Sequence, residues 1–290
     1  MARKRKKSKT RLFIVRIASL AVIACSWFVW QNAGFLTANS NATTTDSPVC
    51  VEGNLLNVAT NQALCPEQLA NYPGMTISFN TSAHQPNWVA WELTRSEAGG
   101  NIPRENKFYC DESVKGCADP YDYNYSGYDR GHMAPAGDMK WSEEAMHSSF
   151  SMANISPQAK SLNTGAWKNL EEKCRLWAKT DSAIYIICGP ILTDKPIDYI
   201  GDNRVPVPAR FFKVILSLAD NSPHGIGFIM PNDKVIGGMQ AAAVSINQVE
   251  RETGHDFFAA LPDSIEEIVE SQNDFHYWSS RTKTAKKQSK

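Results

Sequence analysis

Residues 128–138, YDRGHMAPAGD, place an acid, a base, a glycine and a histidine side by side in the order DRGH. A proline and a glycine follow within five residues of His132, so this histidine is predicted at a strand end or a tight bend and not inside a long helix. A histidine held on a short turn beside the cation Arg130 suits proton transfer next to a phosphate. The stretch is therefore a candidate centre for phosphate-ester chemistry.

Two further motifs follow this stretch along the chain. NISPQ occupies residues 154–158, and LNTGAWKNLE occupies residues 162–171. In this order, DRGH, NxSPQ and LNxGxWxxLE resemble the DNA/RNA non-specific endonucleases, the ββα-metal nucleases that include secreted bacterial enzymes and mitochondrial endonuclease G. The resemblance extends from about residue 87 to about residue 262, and three ordered blocks are far more specific than one four-letter match.

The resemblance implies a metal-dependent endonuclease that hydrolyses the phosphodiester bonds of DNA and RNA without sequence specificity. His132 is then the general base that takes a proton from the attacking water, so activity is expected to rise through neutral pH and to be lost in acid. Arg104 matches an arginine that contacts the scissile phosphate in this family. Arg130 offers a second guanidinium fork to the phosphate, and Asp129 is expected to hold Arg130 because the two are adjacent. None of these roles reads a base edge, which fits weak sequence preference.

The third motif supplies the expected metal ligand. Asn163 and Glu171 stand eight residues apart on a predicted helix that begins at Asn163 and ends near Lys179, a rise of about 12 Å between them. This is too far for both side chains to bind one small ion directly. Asn163 is therefore predicted as the direct ligand of Mg²⁺, with Mn²⁺ as an alternative, and Glu171 is predicted to reach a metal-bound water.

Two neighbours are predicted to support this centre. Asn154, in the second motif, is expected to position Asn163. Arg175 lies four residues after Glu171 and is expected to pair with it across one helical turn.

The formal net charge of zero conceals a strong asymmetry along the chain. Eight of the thirty Lys and Arg residues lie in residues 1–16 and five lie in the last ten residues, and neither segment holds an acid. The remainder has 17 basic against 30 acidic residues, a net charge of −13. A protein that grips nucleic acid by bulk charge shows the opposite sign. Two alternatives therefore stay open: a phosphodiesterase acting on small nucleotides, and an envelope-anchored nucleic-acid-binding protein without turnover.

The N-terminus predicts export. A cationic region at residues 1–11 precedes an apolar segment at residues 12–30, which is typical of a secretory signal or a membrane anchor. The sequence VIAC at residues 22–25 also resembles a lipoprotein box. The small polar residues 31–48 indicate a linker, and the expected location is the cell envelope or the medium.

Six cysteines follow the apolar segment, and an even number in an exported chain suggests disulfides. Pairing between sequence neighbours gives Cys50–Cys65, Cys110–Cys117 and Cys174–Cys188, among fifteen possible pairings. A zinc site is the alternative, but no CxxC spacing is present.

The periodicity of the remaining chain predicts an α+β fold with a mainly antiparallel central sheet flanked by helices. The resemblance implies that a ββα-metal finger carries the active site in this fold. Strands are predicted over residues 87–94, 183–188, 211–218 and 225–230, and helices over residues 143–150 and 244–254. The nuclease domain is expected to cover residues 49–280, and the cationic residues 281–290 are expected to be a disordered tail. The oligomeric state is open.

Overall fold

The structure is a computed structural model that describes residues 53–60, 67–219 and 222–288, with side chains described as far as Arg281. Residues 1–52, which hold the predicted cationic region, apolar segment and linker together with Cys50, lie outside the described residues, as does Cys65. Among the helices that are described, none is both long and apolar enough to cross a bilayer.

Strands and helices are mixed along the chain. The described strands are β1 (Ala59–Thr60), β2 (Gln68–Tyr72), β3 (Met75–Asn80), β4 (Gln85–Thr94), β5 (Asp129–His132), β6 (Ile155–Gln158), β7 (Ala183–Pro190), β8 (Asp198–Ile200), β9 (Val205–Val207), β10 (Arg210–Ser217), β11 (His224–Pro231), β12 (Ala243–Val244) and β13 (His255–Asp256). The described α-helices are α1 (Glu143–Ser149), α2 (Lys168–Asp181), α3 (Gly238–Ala242), α4 (Ile246–Thr253), α5 (Asp263–Ser271) and α6 (Phe275–Gln288).

The central sheet has seven strands in the order β12–β11–β10–β7–β4–β3–β2, and every neighbouring pair is antiparallel. The four strands predicted from the sequence are β4, β7, β10 and β11. The two predicted helices are α1, whose first turn donates the amide of Ala145 to Ser142 Oγ, and α4, which is capped by Ser245 and ends at the left-handed Gly254. The α+β class with an antiparallel sheet is confirmed.

Both faces of this sheet are buried, which explains why its inner strands are apolar on both sides. In β10, Phe211 and Ile215 pack on the face covered by α2, whereas Phe212 and Val214 pack on the opposite face with Ile246 of α4. Successive side chains of a strand point to opposite faces, so one strand contributes to both cores.

A smaller antiparallel pair, β5 and β6, carries the DRGH and ISPQ residues, with His132 opposite Ile155. The chain then passes through a π-helical turn, Leu162–Trp167, into α2, and the three elements form the ββα finger. Gly165 in that turn has φ −105° and ψ −114°, outside helical values. The prediction of one regular helix from Asn163 was therefore wrong, because α2 begins only at Lys168, and the 12 Å rise does not apply.

The C-terminal residues differ from the prediction. Residues 281–288 continue α6 and do not form a disordered tail. The helix is held because Trp278 is fully buried, its carbonyl oxygen accepts a hydrogen bond from Trp177 Nε1 at 2.7 Å, and Arg281 forms an ion pair with Asp181. The folded domain therefore extends beyond residue 280.

The four described cysteines are free thiols, so the predicted Cys110–Cys117 and Cys174–Cys188 disulfides are not formed in this structure. Cys188 Sγ instead donates to the carbonyl oxygen of Met133 at 3.3 Å. Cys110 Sγ lies 3.4 Å from the carbonyl oxygen of Cys117, which keeps these two residues close together.

Candidate active site

His132 lies at the end of β5 with its ring packed between two aromatic side chains. The ring centroid is 5.4 Å from Phe108 and 4.9 Å from Phe150, with an edge-on approach to the latter. The carbonyl oxygen of His132 accepts a hydrogen bond from Trp167 Nε1 at 3.3 Å. Among the described residues, none gives a hydrogen bond to His132 Nε2, so ring packing and the backbone fix this imidazole.

The backbone on both sides of His132 is tightly constrained. A Cβ at Gly131 would collide with the side chain of Gln158 on β6, so only glycine allows this pairing. On the other side, Asn154 accepts a hydrogen bond from Ala134 N and donates to Ala134 O, and its amide also donates to Ser149 O. The hydrogen bonds of Asn154 therefore hold the turn after the histidine. They do not reach Asn163, which Asn154 was expected to position.

The environment of His132 favours the neutral imidazole. Burial, followed by the positive charge of Arg104, lowers the pKa of His132 to about 3. The ring is therefore unprotonated at neutral pH.

His132 opens into a cleft of about 310 Å³ that gathers most of the predicted site residues. The lining residues are Arg104, Arg130, His132, Pro135, Ala136, Gly137, Asn163, Thr164, Lys168, Glu171 and Arg175. Asn154 and Asp129 do not line the cleft and lie behind residues that do. The guanidinium of Arg104 lies over the Phe150 ring, with its carbon 5.1 Å from the centroid.

The orientation of Asn163 is set by Asp129. Asn163 Nδ2 donates to Asp129 Oδ2 at 2.9 Å, and among the described residues none donates to Asn163 Oδ1. The expectation that Asp129 holds Arg130 was wrong. Arg130 donates instead to the carbonyl oxygen of Pro120 at 2.6 Å and to Asn124 Oδ1 at 2.8 Å, because its side chain extends towards that loop.

Glu171 stands at the start of α2, half-buried in the cleft. Burial raises the pKa of Glu171 to about 7, even though the positive charge of Lys213 acts in the opposite direction. Arg175 does not form the expected ion pair with Glu171. It pairs with the fully buried carboxylate of Asp138, Nη1 to Oδ1 at 2.7 Å, because Asp138 lies closer to the same face of α2.

Lys213, in the middle of β10, is a residue that the sequence interpretation missed. It is fully buried, and its Nζ lies 4.5 Å from the centroid of the Trp167 ring and 5.0 Å from that of Trp91. None of the described residues forms a hydrogen bond with this ammonium group. The available signal was a single lysine in the apolar run FFKVIL, because lysine is almost never fully buried without a compensating charge.

The compensating charges lie on the cleft side of the sheet. Burial opposes the ammonium form of Lys213, but its neighbours raise its pKa above the ordinary value. The charged groups among these neighbours are Glu171 and Asp138, because Cys188 and Cys174 are uncharged thiols. The buried cation therefore stands behind Glu171 and Asp138 and favours their ionised forms, partly offsetting the effect of burial on their pKa values.

The donors in the cleft match those that a magnesium ion prefers. Asn163 offers a carboxamide oxygen whose orientation is fixed by the amide bond to Asp129, and Glu171 offers a carboxylate. Mg²⁺ is commonly held by one or two protein oxygens and otherwise by water. The residues present therefore fit a hydrated divalent cation.

Comparison with known proteins gives one consistent family. The sequence profile of the family described as DNA/RNA non-specific endonuclease matches residues 52–264. The chain is 37% identical over 207 residues to "Nuclease EXOG, mitochondrial" of Danio rerio, an alignment that covers 66% of this chain and 60% of the relative. It is 32% identical over 213 residues to a "Nuclease" of Nostoc sp. (strain PCC 7120), covering 68% of this chain and 76% of the relative.

A third relative and a solved structure agree with these matches. The chain is 32% identical over 203 residues to "Endonuclease G, mitochondrial" of Bos taurus, covering 64% of this chain and 68% of the relative. It also matches a chain of the crystal structure of the EndoG/EndoGI complex with a TM-score of 0.64 and 29% identity, covering 68% of this chain and 87% of the solved one.

Proposed function

The chain belongs to the DNA/RNA non-specific endonuclease family, and on that premise we propose that it is a hydrolase that cleaves phosphodiester bonds within DNA and RNA with the help of a divalent cation. The observation that carries this proposal is the single cleft lined by His132, Asn163, Glu171 and two arginines. A general base, a cation ligand and guanidinium groups that bind the phosphate are three components suited to phosphodiester hydrolysis.

Mg²⁺ is the proposed cofactor, with Mn²⁺ as the alternative, held by Asn163 Oδ1 and through water by Glu171. Bound there, the cation supplies Lewis-acid stabilisation of the negative charge that develops on the phosphate. Asp129 contributes by fixing the Asn163 amide so that its oxygen and not its nitrogen faces the cleft. The carboxylate form of Glu171 is needed for this role, because a protonated carboxyl binds a hydrated cation poorly.

His132 is the proposed general base that accepts the proton of the attacking water. Its neutral form is maintained by burial and by Arg104, so no prior deprotonation is needed at neutral pH. The packing against Phe108 and Phe150 limits ring rotation, which keeps the accepting nitrogen at the cleft.

Arg104 and Arg130 are the proposed phosphate-binding residues. Arg104 is exposed at the cleft, and Arg130 is anchored by Pro120 and Asn124 with its guanidinium over the Phe108 ring. Contacts of this kind position the backbone of the substrate but read no base, which supports cleavage without sequence specificity.

We further propose that the chain is exported, on the basis of the cationic and apolar N-terminal segments. Cys110 and Cys117, which lie next to each other, are then the described pair most suited to form a disulfide in an oxidising compartment. Mass spectrometry of the non-reduced protein tests both points, because it reports signal cleavage and the mass of any disulfide-linked peptide.

One experiment separates this function from the two alternatives. The purified protein is incubated with plasmid DNA, with RNA and with a small dinucleotide, each with Mg²⁺ or with EDTA. An endonuclease degrades both polymers only with the cation, and the proposed arginine contacts to the phosphate predict that high salt weakens this reaction. Cleavage of the dinucleotide alone, or binding without cleavage, would refute the proposal.

A further inference from the structure

A second cluster of charged side chains lies where α4, β13 and α5 meet, and it shares no residue with the cleft. Glu250 of α4, Asp256 of β13 and Glu270 of α5 each offer one oxygen atom, and these atoms lie within 4.8 Å of one another. Glu266, one helical turn before Glu270 on α5, adds a fourth carboxylate next to them.

Two of these carboxylates have buried oxygens that lack a hydrogen-bond partner. Glu270 is only 9% exposed, and among the described residues none donates to its Oε1. Glu266 Oε1 is likewise buried and without a donor. An unsatisfied buried carboxylate oxygen is destabilising, so an oxygen-rich site without donors needs another source of positive charge.

The protein itself supplies little positive charge at this point. Arg251 lowers the pKa of Glu250, but burial and the neighbouring acids outweigh it and raise that pKa overall. Burial, followed by Glu250 and Glu266, raises the pKa of Glu270 to about 8. Glu250 and Glu270 are also hydrogen-bonded to each other through their side chains, so without a cation Glu270 holds a proton at neutral pH, and a bound cation would take the place of this proton.

We propose that Glu250, Asp256, Glu266 and Glu270 form a structural binding site for a divalent cation of the calcium class. Calcium–oxygen distances of about 2.3–2.6 Å allow ligands on opposite sides of one ion to lie about 5 Å apart, which matches the spacing of these oxygens. Calcium also accepts irregular sets of six to eight oxygens, including water, and the exposed Asp256 leaves one side open to solvent.

The site has a clear structural consequence. Asp256 stands opposite Ala59 in the pairing of β13 with β1, and Glu250 Oε1 accepts a hydrogen bond from Phe257 N at 2.9 Å. A cation bound here ties α4 and α5 to the strand on which the N-terminal β1 is docked. The bound ion therefore stabilises the fold and takes no part in the cleavage reaction.

The test compares thermal unfolding of the whole protein in EDTA and in Ca²⁺ or Mg²⁺ for three variants. Glu270→Gln and Asp256→Asn each remove one charge from the cluster with little change in shape. Glu267→Gln is the matched control, because Glu267 lies on the same helix but is exposed and outside the cluster. Any shift caused by a cation in the catalytic cleft is common to all variants, so the difference between Glu270→Gln and Glu267→Gln isolates this site.

At a hundredfold excess over its Kd, Ca²⁺ is expected to raise the Tm of the wild type and of Glu267→Gln by roughly 5–10 °C, and by much less in the two cluster variants. In EDTA Glu270→Gln is expected to be at least as stable as the wild type, because glutamine replaces a carboxyl that holds a proton at neutral pH. If Ca²⁺ raises the Tm of all variants equally, the proposal is overturned. The carboxyl groups of the cluster would then be held together by a shared proton and not by a cation. If Glu270→Gln does not fold, Asp256→Asn, at an exposed position, decides the outcome by the same comparison.

Discussion

The side-chain amide of Asn163 donates to Asp129 Oδ2 at 2.9 Å, which links the start of the helical segment to the strand that ends at His132. Asp129 precedes the histidine by three residues on β5, so one short strand orients both the proposed general base and the proposed metal ligand. Because the amide nitrogen is engaged, the oxygen of Asn163 is the atom left to face the cleft. The aspartate of the DRGH motif thus acts through Asn163 and not through Arg130.

Asp129→Ala is expected to raise the Mg²⁺ concentration needed for half-maximal cleavage by about 10–100-fold, because the Asn163 amide loses its orientation. A titration of plasmid cleavage against Mg²⁺ measures this, and kcat at saturating Mg²⁺ is expected to change less. Asp129→Asn keeps an acceptor oxygen and serves as the control with a smaller shift. An unchanged Mg²⁺ requirement in Asp129→Ala would contradict the role assigned here.

His132→Ala is expected to lower kcat by about 10²–10⁴-fold, the usual contribution of a general base. The substrate affinity is expected to be nearly preserved, because Arg104 and Arg130 still bind the phosphate. Single-turnover cleavage and fluorescence anisotropy with labelled DNA in Ca²⁺ measure the two quantities separately. A variant that still cleaves at the wild-type rate would remove the histidine from the mechanism.

The dependence of kcat/KM on pH is expected to be set by Glu171 on the acid side. The pKa of His132 is lowered to about 3, so the imidazole stays neutral as the pH falls from 7 towards 3. The pKa of Glu171 is raised to about 7, so this carboxyl takes up a proton and loses its charge as the pH falls through about 7. Activity therefore declines below that pH.

Mg²⁺ and the proton compete for Glu171, so a higher Mg²⁺ concentration is expected to move this decline to lower pH. Profiles of kcat/KM against pH at several Mg²⁺ concentrations measure the shift. A decline that stays at one pH whatever the Mg²⁺ concentration would argue against Glu171 as the titrating group.

Lys213→Met is expected to shift the acid-side decline of kcat/KM to a pH about one unit higher. The reason is that the Lys213 ammonium group, which favours the Glu171 carboxylate, is removed. Methionine fills the space beside Trp91 and Trp167 without a charge, so folding is expected to be preserved. Lys195→Met, at an exposed position, is the matched control and is expected to leave the profile unchanged. A Lys213→Met enzyme with the wild-type pH profile would show that the buried charge does not act on Glu171.

The sequence predicted the elements of this fold well because alternation and capping are local signals. β4 was found from alternation and α4 from its serine cap and terminal glycine, whereas β7 and β10 were found from continuous apolar runs. Lys213 was missed because its partners, Glu171 and Asp138, come from distant parts of the chain and meet it only across the sheet. For the same reason adjacency misassigned Asp129, whose hydrogen bond reaches 34 residues along the chain to Asn163.

At the C-terminus, composition indicated disorder over residues 281–290, whereas α6, which packs on the domain through Trp278, continues to residue 288. Trp278→Ala is expected to lower the free energy of unfolding by about 3–5 kcal/mol, because a fully buried indole is removed from its contact with Trp177. Urea unfolding followed by circular dichroism measures this, and kcat in the absence of urea is expected to be unchanged since α6 lies outside the cleft. His276→Ala, an exposed position on the same helix, is expected to change the stability by no more than about 0.5 kcal/mol. If the two variants unfold at the same urea concentration, Trp278 does not pack on the domain in solution.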